Sequence, residues 1–139
     1  MKLIKKIALI ILIIISFTKI NAQNFEWAKK LGNVSNFASA FDKEGNTYII
    51  GEFFGTVDFD PGPGNYYLGS VAGSYDVFIS KWNSSGNLLW AQRLGGTSSD
   101  GAGSIAVDTS GNVYVTGTFS GPVSFGSIGL TSTGTYDAC

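Results

Sequence analysis

The 139-residue chain carries ten acidic and nine basic residues, a single cysteine at its last position and no histidine. The missing histidine excludes Ser-His-Asp and Cys-His nucleophile systems and the usual catalytic zinc sites, and the lone cysteine excludes a disulfide framework or a Cys-based metal centre. Four of the nine bases fall within residues 1–22, so residues 23–139 hold five bases against ten acids, a net charge of −5 that disfavours nucleic acid and anionic membranes as partners.

The chain opens on "MKLIKK", then the apolar run Ile7–Phe17, then polar "TKINAQ". A basic start, a short apolar core and a small residue before a polar one predict a secretory signal peptide over residues 1–22, cleaved after Ala22 to leave Gln23 first. The run is about half the roughly 20 residues a membrane span needs, so no stable span is expected after cleavage. All 19 glycines, all three tryptophans and nine of the ten phenylalanines lie after the signal. Glycine with aromatics and few charges reads as many short strands joined by tight turns.

From Trp27 the chain reads "WAKKLG". A strand is predicted over about 38–42 and a second over 47–53, joined by Asp42-Lys43-Glu44-Gly45-Asn46. The Asp can accept a hydrogen bond from the backbone two residues on, and the Gly can take the left-handed conformation that closes such a turn. "DFDPGPGN" is read as a loop. "DVFISKW" (76–82) and "LLWAQRL" (88–94) are strands three and four, joined by "NSSGN" (83–87). The text then repeats: "WAQRLG" starts at Trp90, 63 residues after its counterpart. Residues 104–125 match 38–59 at ten of 22 positions with an offset of 66, and "GTYDAC" (134–139) echoes "GSYDVF" (73–78). The shifting offset places length changes in loops, at 98–103 and 61–65. The second copy's strand puts Val113, Val115, Gly117 and Phe119 on one face and Tyr114, Thr116 and Thr118 on the other.

Four antiparallel strands in about 63 residues, apolar on both faces, predict an all-β fold of β-propeller blades whose neighbours cover both sides. A sandwich built from the same hairpins is the competing architecture. Repeat 1 spans about 27–89 and repeat 2 about 90–139, the latter stopping inside its third strand, which gives about one and three-quarter blades. A closed propeller has about four to eight. The chain is therefore expected to be the N-terminal part of a longer protein, with completion of a ring by self-association as the alternative.

"DTSGNVYVTGTFSGPVSFG", "YDVFISKWNSSGNLLWAQRLGG" and "DFDPGPG" together resemble SBBP-type β-propeller repeats of exported bacterial proteins, over about residues 25–139. The phrase "IAVDTSGNVYVTG" alone is also similar to NHL repeats, whose period is shorter. The resemblance implies a propeller and a secreted or cell-surface location. It brings no catalytic residues.

Chemistry candidates are few. Asp58, Asp60 and Asn65 place oxygen ligands in one loop and raise the question of calcium, but Ser124 and Gly126 stand at the equivalents of the two Asp residues, and Asp60-Pro61-Gly62 reads as a turn. Asp76 and Asp137 open the third strand of each copy and are expected to be strand-end hydrogen-bonders. Trp27, Trp82 and Trp90 are either a sugar-stacking platform or blade-to-blade packing, and the equivalence of Trp27 and Trp90 favours packing. Cys139 has no base beside it. No catalytic, cofactor-binding or metal residue is assigned, and no cofactor is expected. Two function classes remain: a non-catalytic surface scaffold that binds or adheres to an extracellular ligand, glycan or protein, and an exported enzyme, carbohydrate-active for example, whose catalytic part lies beyond residue 139.

Overall fold

The computed structural model describes residues 27–139, and every regular element among them is a β-strand. The predicted signal peptide lies outside the described residues. Strands β1 (Val34–Phe41), β2 (Thr47–Phe54), β5 (Tyr75–Trp82) and β6 (Leu88–Gly96) pair antiparallel in that order and make the first blade. β1 starts four residues earlier than the alternation suggested, because a register shift between Asn36 and Ala38 lets pairing continue to Val34↔Phe53. The second blade has β7 (Gly101–Val107), β8 (Val113–Phe119) and β11 (Asp137–Ala138).

Two further hairpins lie outside the four strands predicted for each blade, the first with the predicted loop 58–65 at its tip. β3 (Thr56–Asp58) pairs with β4 (Tyr67–Gly69), and their counterparts β9 (Pro122–Phe125) and β10 (Ile128–Thr131) pair in the second copy. The stretch 98–103 is also not wholly loop, since β7 begins at Gly101. β9 crosses between blades: Gly95↔Ser124 and Gly96↔Val123 join it to β6, so one sheet runs β1-β2-β5-β6-β9-β10.

The turns form for one local reason. Asp42 Oδ1 accepts from the backbone N–H of Glu44 (3.1 Å) and Asn46 (2.9 Å), while Gly45 sits at φ +80°. Asp108 does the same for Ser110 (2.8 Å) and Asn112 (2.9 Å), with Gly111 at φ +85°. In the third case Asn83 replaces Asp, accepting from Ser85 (3.1 Å) and Asn87 (2.9 Å). A side-chain acceptor satisfies the tip's N–H groups, and glycine supplies the left-handed residue without a Cβ penalty.

Alternation along β2 and β5 gives the first blade two apolar faces. Tyr48, Ile50, Val77 and Ile79 point to one side, where Ile105, Val107, Val113 and Val115 of the second blade cover them. Phe53 and Phe78 point to the other, where Val57 and Phe59 of the β3–β4 hairpin and Leu31 close over them. Phe53, Phe59 and Phe78 form a mutually packed aromatic cluster with centroids 4.9–6.4 Å apart. β7 lies against β1 and β2, so the inner strands of the two blades stand side by side. That arrangement is a propeller's and departs from the competing sandwich. The second blade's outward face has no such cover among the described residues. Tyr114 is 59% exposed where its repeat counterpart Tyr48 is 1% exposed.

Candidate functional site

The three Asx-type turns gather at one end of the blades. A Cβ on Gly45 would lie 3.7 Å from the Cβ of Ser84, and the turns at 42–45 and 108–111 face each other across a cleft of about 310 Å³. Lys81, at the end of β5, completes its lining. The cleft is polar. Lys81 Nζ lies 3.3 Å from Asp42 Oδ2 and 4.8 Å from the centre of the Tyr48 ring, and the Tyr48 hydroxyl donates to Asp42 Oδ2 (3.2 Å). Partial burial pushes the Asp42 carboxyl upward. Hydrogen bonds from the Asn46 side chain and backbone, with Lys81 and Tyr48, outweigh it and hold the group well below the usual carboxylate range. Asp108 is also lowered, by Asn112 first. Tyr48 in turn raises Lys81, with Asp42 adding to the effect against burial. Both turns are thus fixed as charged acceptors, with Thr109, Ser110, Lys43 and Glu44 at the mouth. Such a lining can hydrogen-bond a polar ligand.

The remaining sequence candidates have structural partners. Asp58 Oδ1 accepts from the N–H of Asp60 (3.0 Å) and Tyr66 (2.8 Å), and Asp60 Oδ1 accepts from Gly62 (3.2 Å). The Asn65 amide, oriented to satisfy its surroundings, donates to Asp58 Oδ2 (3.2 Å). These contacts make a braced turn, and among the described residues no three His, Cys, Asp or Glu side chains converge as metal ligands. Asp76 is fully buried and accepts from the Val71 N–H, the Ser74 hydroxyl and Arg93 Nη1 (2.9 Å). Asp137 accepts from the N–H and hydroxyl of Thr133.

Sequence reasoning missed Asp100. This residue is 5% exposed and ties the blades together, taking the N–H of Gly96 (2.9 Å) at the end of β6 and that of Ser120 (3.2 Å) after β8. Burial raises its carboxyl despite those two bonds, and nearby Asp76 adds to the rise. Glu52 makes a second tie, accepting from the Ala102 N–H (3.1 Å). The gap beside Asp100, which Cys139 also lines, holds about 20 Å³, about one water molecule. Cys139 itself is exposed and pairs through its backbone with Gly117.

The tryptophans do not form a platform. Trp27 stacks on Trp82 at 6.2 Å and 20°, with Trp82 buried, whereas Trp90 meets Tyr48 edge-on at 6.1 Å on the other face of the blade. The exposed aromatic pair is instead Phe54 and Tyr75, 5.4 Å apart, bordering a cleft with Asn33, Val34 and Ser35. The doubled phenylalanine at 53–54 was its sequence signal: strand alternation buries the first and exposes the second.

Comparison with known proteins agrees with this architecture. Residues 89–118 match the family model of the SBBP β-propeller repeat. Over 109 aligned residues, 67% of the chain, it is 33% identical to the uncharacterized WD repeat-containing protein L264 of Acanthamoeba polyphaga mimivirus, of whose length it spans 8%. No solved structure gives a significant match.

Proposed function

We propose that this chain, a β-propeller repeat scaffold with an SBBP-type repeat at residues 89–118, is an exported, non-catalytic binding module that works at the cell surface or beyond it. The observation that carries the reading is the cleft between the Asp42 and Asp108 turns. Two copies of one turn, from successive repeats, present polar groups to a shared space whose charged members are already hydrogen-bonded and paired. Propeller loops held on rigid strands are suited to recognition. The Thr109 and Ser110 hydroxyls, with the lysines and carboxylates beside them, fit the hydroxyls of a glycan, and the basic, apolar start of the sequence supports export.

The test incubates the protein with insoluble polysaccharides, chitin and peptidoglycan sacculi among them, and reads both retained protein and released sugar. Retention without release is expected, and Lys43→Ala with Thr109→Ala should reduce it at least several-fold. Release of reducing ends would overturn the non-catalytic reading in favour of an exported enzyme. Mass spectrometry of the secreted protein should find Gln23 as the first residue.

A further inference from the structure

Phe54 and Tyr75 stand opposite each other at the last register pair of β2 and β5, and both rings face water, 44% and 51% exposed. Their centroids lie 5.4 Å apart with the planes tilted by 44°. The repeat does not require this pair. Tyr75 has the counterpart Tyr136, but at the position of Phe54 the second copy has Ser120. A phenylalanine held half in water, where the same turn is made with serine, adds little to the core and leaves an aromatic surface for other contacts.

The pair is firmly held. The Tyr75 carbonyl accepts from the Asp100 N–H (2.8 Å), and the Tyr75 N–H donates to Ser99 Oγ (3.4 Å). The Phe54 N–H donates to the Asn33 carbonyl (3.3 Å), and Asn33 takes the left-handed conformation at φ +53°, which asparagine tolerates. These bonds bring Asn33 and Ser35, both exposed, to the cleft of about 280 Å³ that the two rings border. None of its five lining residues carries a charge. The cleft lies at the end of the blade, where β1 and β5 begin and β2 stops, whereas neighbouring blades cover the faces. The Asp42–Asp108 cleft is at the opposite end, the distance from Thr47 to Phe54 along β2, or about 23 Å at about 3.3 Å per residue.

We propose that Phe54, Tyr75, Asn33 and Ser35 form a second recognition site, and that its ligand is a sugar ring of a neutral glycan. A pyranose has a face of C–H groups, slightly positive, that stacks on the negative face of an aromatic ring. Its rim of hydroxyls exchanges hydrogen bonds with the Asn33 amide and the Ser35 and Tyr75 hydroxyls, the few polar groups that orient a ligand in such a cleft. The uncharged lining has nothing to offset the desolvation of a uronate, a phosphate or a charged peptide side chain, which leaves the neutral sugar as the best fit. The site goes beyond the turn cleft and does not rest on it.

The test titrates the whole chain with neutral pentasaccharides of glucose, mannose and xylose at millimolar concentration and reads amide and aromatic chemical shifts by NMR. At least one is expected to shift residues 33–35, 54 and 75. Phe54→Ser gives the first copy the residue that the second already carries, so it should keep the spectrum of the fold while weakening this binding by about tenfold or more. Phe54→Trp should retain binding. Lys43→Ala with Thr109→Ala should leave these shifts in place, so failure at the turn cleft and failure here are told apart. The assignment is overturned if no pentasaccharide moves these residues, or if Phe54→Ser binds as the wild type does. It is equally overturned if the two rings shift with protein concentration alone and stay unmoved by sugar, which would make the pair a contact between copies of this chain.

Discussion

Tyr48 and Tyr114 are the same residue of the same motif, so truncating each asks what the neighbouring blade contributes. Tyr48 is 1% exposed, meets Trp90 edge-on, lies under Lys81 and hydrogen-bonds Asp42. A tyrosine buries about 150–250 Å², worth about 4–6 kcal/mol at about 25 cal/mol per Å² as an upper bound. Aromatic truncations in cores cost about 3–5 kcal/mol, and that is the expected loss for Tyr48→Ala. Tyr114 is 59% exposed and keeps only its hydroxyl contact to Asp108 (3.2 Å), so Tyr114→Ala should cost under about 1 kcal/mol. Tyr48→Phe, which removes only the hydroxyl, should cost about 1 kcal/mol. Urea unfolding followed by circular dichroism measures all three, with a common slope confirming a common unfolding reaction. Losses for the two alanine variants within about 1 kcal/mol of each other would refute the claim that blade two covers Tyr48.

Gly111→Val should destabilise by on the order of 1–2 kcal/mol through φ strain alone, since a Cβ there meets no atom within 4 Å, whereas Thr109→Val should be near neutral; equal melting temperatures would contradict the turn geometry. Arg93→Leu leaves buried Asp76 with only its Val71 and Ser74 donors and should cost about 2–3 kcal/mol, read by the same urea titration. The two perturbed carboxylates should give opposite pH signs. The lowered group of Asp42 contributes stability present above the ordinary carboxylate range and lost as pH falls, so Asp42→Asn should destabilise at neutral pH and flatten the acid limb. Asp100 is raised, so its contribution is present at low pH and declines as pH rises through its folded value; the wild type's advantage over Asp100→Asn should shrink in that direction, as pH-dependent melting would show.

The four-strand blade was readable because each piece has a local cause. Asp-x-x-Gly-Asn carries its own acceptor and its own left-handed residue, and the β-branched alternation fixes which side chains share a face. The β3–β4 hairpin escaped notice because three-residue strands flank a Pro- and Gly-rich tip, although Val57 and Phe59, matched by Val123 and Phe125, already showed the alternation that buries all but the half-exposed Phe125. The cleft was beyond local reasoning. Its walls come from residues 66 positions apart, and their distance depends on how β7 packs against β1 and β2. Asp100 was hidden for a related reason: its partners Gly96 and Ser120 belong to different blades, and no spacing in one strand reports that.

Because β9 and β10 complete the sheet that begins at β1, the borders of the repeat in the text and in space do not coincide. A cut made where the wording restarts, at Trp90, strips most of β6 together with β9 and β10 from the sheet it leaves behind. Removing or adding one full period, begun at any phase, returns every hairpin to a fourth strand of the same kind. Such an array can change length by whole units through unequal recombination at arbitrary crossover points, while a partial unit is penalised wherever it falls.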